Sequence, residues 1–181
     1  MGSTLTSLLP LIIGSAVVPM HSILIILMLT SEEQALAKAI GFVLGMTIVR
    51  LGQGIIFGLI FTGGADTGGT TASDGSNWVV STLLLVLGIL LLITAFKTWR
   101  GEPDPDAPPP KWLTMTDEMS PLVAFAMGAG LLLIGAKLWV FTLGAISTIG
   151  DAQLGQPMSS ITFLFYVLLA QSLLLIPIAI R

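Results

Sequence analysis

Residues 39–62, AIGFVLGMTIVRLGQGIIFGLIFT, form an unbroken apolar run that holds one charged side chain, Arg50. The hydrocarbon core of a bilayer is about 30 Å thick, and a helix of roughly 20 apolar residues crosses it. The run is therefore predicted to be a membrane-spanning helix. Because no carboxylate accompanies Arg50 in this run, the stretch also raises the question of what neutralises a cation at that depth.

The rest of the chain has the same character. Hydrophobic residues make up 54% of the 181 residues and charged residues 9%, with a mean hydropathy of +0.98, whereas soluble domains are roughly 25% charged. We predict an all-α polytopic membrane protein with five transmembrane helices, which leaves no room for a soluble catalytic domain. The five predicted spans are Leu5–Leu29, Ala39–Thr62, Trp78–Phe96, Pro121–Thr148 and Ser159–Ile180.

A proline-rich stretch, EPDPDAPPP at 102–110, divides the chain, because proline lacks the helical N–H donor and restricts the residue before it. Residues 1–102 are predicted to form a first unit of three helices. Residues 103–120 form a cytoplasmic linker, and residues 121–181 form a second unit of two helices. Ser31 with Gln34 predicts a capping box for the second helix, and Ser120 before Pro121 predicts an N-cap and N1 pair for the fourth.

The basic residues outside the spans favour one orientation. If the spans alternate, the loops on one side carry five Lys and Arg residues and those on the other side carry none. The positive-inside rule then predicts a multi-pass protein of the bacterial inner membrane, with its N-terminus outside and residue 181 cytoplasmic. The five residues are Lys38, Lys97, Arg100, Lys111 and Arg181.

Two cations lie where no acid accompanies them. All ten acidic residues fall in polar segments, but Arg50 and Lys137 lie deep in apolar runs, and His21 interrupts a third. Such charges are costly in a bilayer and usually face the bundle interior. We predict a midplane cavity that binds an anionic group of the substrate. Its predicted lining is Arg50, Lys137, His21, Gln53 and Gln171.

Each of these residues also has a structural interpretation. Arg50 would brace helix ends by donating to freed carbonyls, and Lys137 would extend its ammonium to the interface. His21 would be a neutral side chain bonded to a backbone carbonyl rather than a proton shuttle. Gln171 would serve as an interhelical hydrogen-bond donor.

Prolines and glycines predict breaks and close packing. Helix breaks or hinges are expected at Pro19, Gly135 and Pro177, since irregular backbone at membrane depth is tolerated where it lines a cavity or finds new partners. Pairs of glycines four apart allow helices to approach closely, within the bundle or in a dimer. The predicted packing positions are Gly41, Gly45, Gly54 and Gly58.

Several function classes lack the residues they require. The chain has no Cys and one His, so thiolate and histidine metal sites are not expected, and neither is a cofactor. No nucleophile–base pair or phosphate-binding loop is visible, and we therefore predict no enzyme. No nucleic-acid partner is expected.

The two units resemble each other. Ile40-Gly41-Phe42-Val43 precedes Arg50 by the same distance as 161–164 (ITFL) precedes Gln171. The Pro19–His21 segment corresponds approximately to Gly135-Ala136-Lys137. Three-helix repeats are antiparallel across the membrane, as in secondary transporters. We therefore expect two inverted three-helix repeats, with the sixth helix missing from this chain.

The motifs resemble a known family. The LPLIIG run at 9–14, the Val18-Pro19-Met20 break, the IILMLTS run at 25–31 and the GFVLG helix at 41–45 are similar to those of the peptidoglycolipid-addressing (GAP, Sap-like) family of the LysE-type exporter superfamily. The resemblance extends through the proline-rich loop and the Gly128–Lys137 helix. That helix often carries an Asn-Pro-Lys-like element in the family, of which only Lys137 is present here.

The resemblance implies a six-helix, homodimeric exporter of a small or lipid-linked substrate, with membrane lipids around it. Together with the unpaired cations, it predicts export of an anionic molecule through the cavity. The competing hypothesis is a non-transporting membrane scaffold that assists a lipid-export complex through its glycine-rich helix faces.

Overall fold

The computed structural model describes residues 2–62 and 119–181, together with isolated helical positions between 78 and 100. Every regular element in these ranges is an α-helix, as the sequence predicts. The helices are α1 (Gly2–Ala16), α2 (Pro19–Thr30), α3 (Ala35–Thr62), α4 (Pro121–Ile134), α5 (Ala136–Asp151), α6 (Gln156–Ala170) and α7 (Ser172–Ile180). Most of the predicted third span and of the 103–120 linker lies outside the described residues.

Three of the predicted spans are each two helices that meet at an angle. The bend is 54° between α1 and α2, 74° between α4 and α5, and 59° between α6 and α7. Only α3, among the described helices, is long and apolar enough to cross a bilayer by itself. The described residues thus provide one span, or up to four if each bent pair crosses as a unit. The five-span count and the inverted repeat stay predictions.

The three breaks have different local causes. Pro19 occupies the N1 position of α2, where its missing N–H interrupts no helical hydrogen bond. Gly135 separates α4 from α5 with φ −72° and ψ 85°. At Gln171, φ is −108° and ψ is 2°, and its N–H bonds to the Leu168 carbonyl three residues back. The predicted break at Pro177 is wrong in position, because Pro177 lies inside α7 and the bend occurs at Gln171.

The closest helix contact joins α3 to α4 in parallel. A Cβ at Gly41 would lie 2.6 Å from the Pro121 carbonyl oxygen, and one at Gly45 would overlap the Phe125 carbonyl. From the other side, a Cβ at Gly128 would overlap the Phe42 carbonyl. The two backbones therefore approach each other because these positions carry no side chain.

The other two predicted packing glycines differ from this pair. Gly54 faces the ring of Phe163 on α6, where a Cβ would clash with the ring. A Cβ at Gly58 would meet nothing within 4 Å. Gly54 therefore accommodates a large side chain of a neighbouring helix.

Two further sets of contacts show the relative arrangement of α1 and α5 and of α2 and α7. Along α1 and α5, Gly14 faces Phe141 and Leu11 faces Gly144, so these helices are antiparallel. At the opposite end of the chain, the Arg181 guanidinium donates to the Leu29 carbonyl. The C-terminal ends of α2 and α7 therefore lie side by side.

The two predicted caps have different outcomes. Ser120 Oγ accepts a hydrogen bond from the Val123 N–H at 3.3 Å, which confirms the N-cap of α4. The capping box of Ser31 and Gln34 is wrong. Helix α3 begins at Ala35, and Gln34 has a positive φ of 50°. Ser31 instead ends α2 and accepts a hydrogen bond from the Lys38 ammonium at 2.7 Å.

Candidate functional site

The candidate site is centred on Arg50, half-way along the continuous helix α3. Its side chain is 0% exposed, which makes it the largest fully buried side chain among the described residues. The Nη2 group donates to Ser15 Oγ of α1 at 2.6 Å. No hydrogen-bond partner for Nε or Nη1 exists in the described structure. Arg50 is thus a buried cation that uses only part of its donor capacity.

Tyr166 of α6 also contacts the Arg50 side chain. Its ring centroid lies 5.9 Å from Arg50 Cζ, which is within the range of a cation–π contact. The side chain is also 0% exposed, and its hydroxyl has no partner among the described residues. Phe163 stacks on the same ring at 5.9 Å, which holds the ring in place. The sequence analysis did not identify Tyr166.

Gln53 extends the site along α3. It lies one turn after Arg50 and is buried, so the two side chains project from the same helix face. Neither its side-chain oxygen nor its nitrogen has a described partner. Gln53 therefore offers both a free donor and a free acceptor next to the guanidinium.

Gln171 brings the α6–α7 break to the same part of α3. Its Oε1 lies 3.0 Å from the Thr47 hydroxyl, one turn before Arg50, and the same hydroxyl lies 2.7 Å from the Val43 carbonyl oxygen. Gln171 Nε2 has no described partner. Gln171 thus makes an interhelical contact as the acceptor, so the predicted donor role is wrong, and its amide donor is left over.

His21 lies beside this cluster on α2. It is buried, and its ring meets the Phe42 ring edge-on with the centroids 6.1 Å apart. Phe42 lies on α3, two turns before Arg50. The structure therefore buries four of the five predicted lining residues: Arg50, His21, Gln53 and Gln171.

Lys137 is not among them. Its side chain is exposed, near the start of α5 and just after the break at Gly135. The ammonium lies over the Phe141 ring, 5.7 Å from its centroid. The predicted pairing of Lys137 with Arg50 in one cavity is therefore wrong, because Lys137 lies on the exposed face of α5, whereas its neighbour Leu138 is buried.

Unpaired donors outnumber unpaired acceptors in this cluster. The groups without a described partner are Arg50 Nε and Nη1, Gln53 Nε2 and Oε1, Gln171 Nε2 and the Tyr166 hydroxyl. A buried polar group without a partner costs about 1–3 kcal/mol, and more if it is charged. The described carboxylates, Glu32, Glu33 and Asp151, are all exposed. The cluster is therefore chemically complementary to an acceptor-rich anion.

Metal binding finds no support in the same region. Within the described ranges, no three His, Cys, Asp or Glu side chains are close enough to hold an ion. The surroundings of Arg50 are hydroxyl, amide and aromatic groups, which suit an anion rather than a cation.

The chain was compared with known proteins at three levels. No curated protein and no solved structure matches it. The sequence model of the family described as Sap, sulfolipid-1-addressing protein, matches residues 8–181, which include every residue of the Arg50 cluster. The apolar helices of this chain fit a membrane protein. The chain belongs to the family described as Sap, sulfolipid-1-addressing protein.

Proposed function

We propose that this protein is a membrane exporter that moves an anionic substrate, small or lipid-linked, through the Arg50 cluster. The observation that carries the proposal is the fully buried guanidinium with two unpartnered nitrogens. A buried charge without a counter-ion is unfavourable. The anionic group of a substrate supplies the missing acceptors, and transport consists in admitting and releasing that group.

The family name supports a sulfated lipid as the substrate. A sulfate ester carries one negative charge and several acceptor oxygens, which match the donor excess of the cluster. Arg50 would carry the charge recognition, while Tyr166, Gln53 and Gln171 would bind the remaining oxygens. Since Arg50 is fully buried, the described conformation corresponds to a closed state of such a site.

An inverted repeat of the LysE type is part of the proposal. It is supported by the bends of α1–α2 and α4–α5, which occur in the helices that the sequence comparison pairs. Broken helices next to a buried polar site are typical of secondary transporters. Arg181 contacts Leu29, close to the turn before Lys38. This contact supports the placement of Lys38 and Arg181 on the same side of the membrane. The inner-membrane location, the outside N-terminus and the homodimer belong to the same proposal.

The scaffold hypothesis has weaker support. Its sequence basis was the glycine-rich face of α3, and Gly41 and Gly45 contact α4 of the same chain. These glycines are therefore used within the protein. A scaffold also gives no reason for an unpaired cation in the core. A transport assay with the purified protein distinguishes the two hypotheses, because an exporter moves its substrate alone and a scaffold does not.

The experiment is a lipid-translocation assay in liposomes. A fluorescent short-chain sulfated glycolipid is placed in the inner leaflet, and its arrival in the outer leaflet is followed with a membrane-impermeant quencher. The wild-type protein should move this lipid faster than the same glycolipid without its sulfate. Arg50→Met should abolish the difference. Equal movement of both lipids, or an unchanged rate in Arg50→Met, would contradict the proposal.

Lys38 provides the matched control. It is also a buried cation on α3, but it donates to Ser31 and lies near the helix start, away from the cluster. Lys38→Met should keep sulfate-dependent transport. Loss of transport in both variants would mean that any buried cation on α3 is needed, and the assignment of Arg50 to the substrate would fail.

The stability of Arg50→Met separates substrate binding from helix bracing. Replacing buried ionic groups by apolar side chains of similar volume is often neutral or stabilising, by about 1–4 kcal/mol. If Arg50 serves the substrate, the thermal unfolding midpoint of the variant in detergent should stay the same or rise. A brace would instead show a clear decrease in that midpoint.

A further inference from the structure

Lys137 lies in surroundings that suit an amphipathic anion. Its ammonium is exposed near the middle of the α4–α5 pair, and its one polar or ring contact with a described residue is the Phe141 ring. Leu133 and Ile134, just before the break, are 55% and 84% exposed. A positive charge next to an exposed apolar surface matches a ligand with an anionic head and an alkyl chain.

The backbone at this position is fixed by Trp139. Its indole Nε1 donates to the Leu133 carbonyl at 2.9 Å, across the break at Gly135. Phe57 of α3 packs edge-on against the same indole, with the ring centroids 5.9 Å apart. The bend, and with it the outward position of Lys137, is therefore held by defined contacts.

Phe141 separates Lys137 from the Arg50 cluster. One face of the Phe141 side chain is below the ammonium, and the ring packs against Gly14, where a Cβ would lie 2.6 Å away. The residue after Gly14 is Ser15, which accepts the hydrogen bond from Arg50. Contacts thus run from Lys137 to Phe141, from Phe141 to Gly14, and from the adjacent Ser15 to Arg50. Phe141 therefore lies between the two cations.

A second copy of the chain would not neutralise Lys137. A two-fold interface with its axis at this position would bring two ammonium groups together, and like charges repel each other. The described carboxylates lie at helix ends, in the α2–α3 turn and at the end of α5. A lipid with an anionic headgroup supplies both the charge and the apolar part.

We propose that Lys137 and Phe141 form an outer anion-binding site for the headgroup of an anionic membrane lipid. This site rests on the proposed function in one respect, since it would precede the Arg50 cluster on the path of the substrate. An anionic headgroup binds first at Lys137, and a rotation of the Phe141 ring then opens the way to Ser15 and Arg50.

The occupancy of the outer site can be measured without transport. Replacing Trp78, Trp99 and Trp112 by Phe leaves Trp139, two residues from Lys137, as the single tryptophan. This protein is placed in phosphatidylcholine vesicles with either brominated phosphatidylglycerol or brominated phosphatidylcholine as the minor component. Bromine quenches indole fluorescence at contact. The anionic lipid should quench Trp139 more strongly, and Lys137→Met should reduce its apparent association about fivefold.

Two variants make the result specific. Lys137→Arg keeps the charge and should restore the preference for the anionic lipid. Arg50→Met should leave the preference intact, because Arg50 is not exposed to lipid. If Arg50→Met removes the preference as strongly as Lys137→Met, the outer site does not exist as a separate site.

The remaining outcomes of the quenching experiment also test the proposed outer site. Equal quenching by both lipids in the wild-type background would mean that Lys137 only extends to the interface, and the proposal would fall. No quenching by either lipid would mean that another copy covers the surface, which also overturns it. Lipid preference without sulfate-dependent translocation would keep the outer site and reject the exporter.

Discussion

Arg50 and Lys137 look equivalent in the sequence and differ completely in the structure. Both are cations deep in apolar runs without a neighbouring acid. Arg50 lies on the unbroken helix α3 and is enclosed by Ser15 of α1 and Tyr166 of α6. Lys137 follows a 74° bend and is exposed. Position along a span therefore does not determine whether a charge faces the core or the surface.

The difference suggests two kinds of anion recognition. Arg50 presents a planar fork with free N–H groups in a buried setting, where direction matters. Lys137 presents a point charge at a surface, where only its sign and reach matter. Exchanging Arg and Lys at the two positions tests this contrast directly.

The largest effect is expected for Arg50→Lys. Lysine keeps the charge, but it loses the planar fork and the reach to both Ser15 and the substrate. Sulfate-dependent translocation should fall about tenfold to a hundredfold, the equivalent of about one charge-assisted hydrogen bond. The initial rate in the liposome assay gives the measurement.

Lys137→Arg is the counterpart in the same assay. Its rate should stay within about twofold of the wild type, since a surface charge of the same sign is retained. Equal losses in the two variants would remove the distinction between a directional and a point-charge site.

A smaller effect is expected for Tyr166→Phe. The hydroxyl has no partner in the described structure, so its removal relieves a desolvation cost and should stabilise the protein by about 1 kcal/mol. The same change deletes one donor to the substrate and should raise the apparent KM for the sulfated lipid about fivefold. Thermal unfolding and the concentration dependence of translocation measure the two effects.

The ring at position 166 provides the control. Tyr166→Leu removes the stacking on Phe163 and the contact with Arg50 as well, so it should lose both stability and transport. A Tyr166→Phe variant with unchanged KM and lower stability would show that the hydroxyl acts in the fold rather than on the substrate.

Apolar length and end signals were sufficient to predict much of the fold. The second span begins at Ala35 instead of Ala39 and ends at Thr62 as expected. The cap at Ser120 follows from the residue itself, because a hydroxyl before a proline satisfies the first free N–H groups. By contrast, the break at Gln171 has no proline or glycine. It coincides with a contact to Thr47, 124 residues away, and sequence periodicity carries no information on such contacts.

Polarity alone identified four residues that the structure buries. Arg50, Gln53, His21 and Gln171 stand out in apolar runs, and the structure buries all four. Tyr166 was missed because its ring fits an apolar helix, although it is the single tyrosine of the chain and precedes Gln171 by five residues. Lys137 was placed wrongly because the bend at Gly135 decides which way α5 starts, and a lone glycine does not specify that direction.

The smallest effect on lipid recognition is expected for a change next to Phe141, which lies between the two cations. In Gly14→Ala, the added methyl group would lie 2.6 Å from the Phe141 ring and push it away from α1. Overpacking of this kind costs about 1–3 kcal/mol. In Gly144→Ala on the facing helix, the nearest atom is the flexible end of Leu11 at 3.3 Å, which can move at little cost. Gly14→Ala should therefore lower the unfolding midpoint more than Gly144→Ala and alter the quenching of Trp139 by anionic lipid. Equal effects of the two variants on that quenching would show that Phe141 does not divide the sites, and that Arg50 and Lys137 are independent.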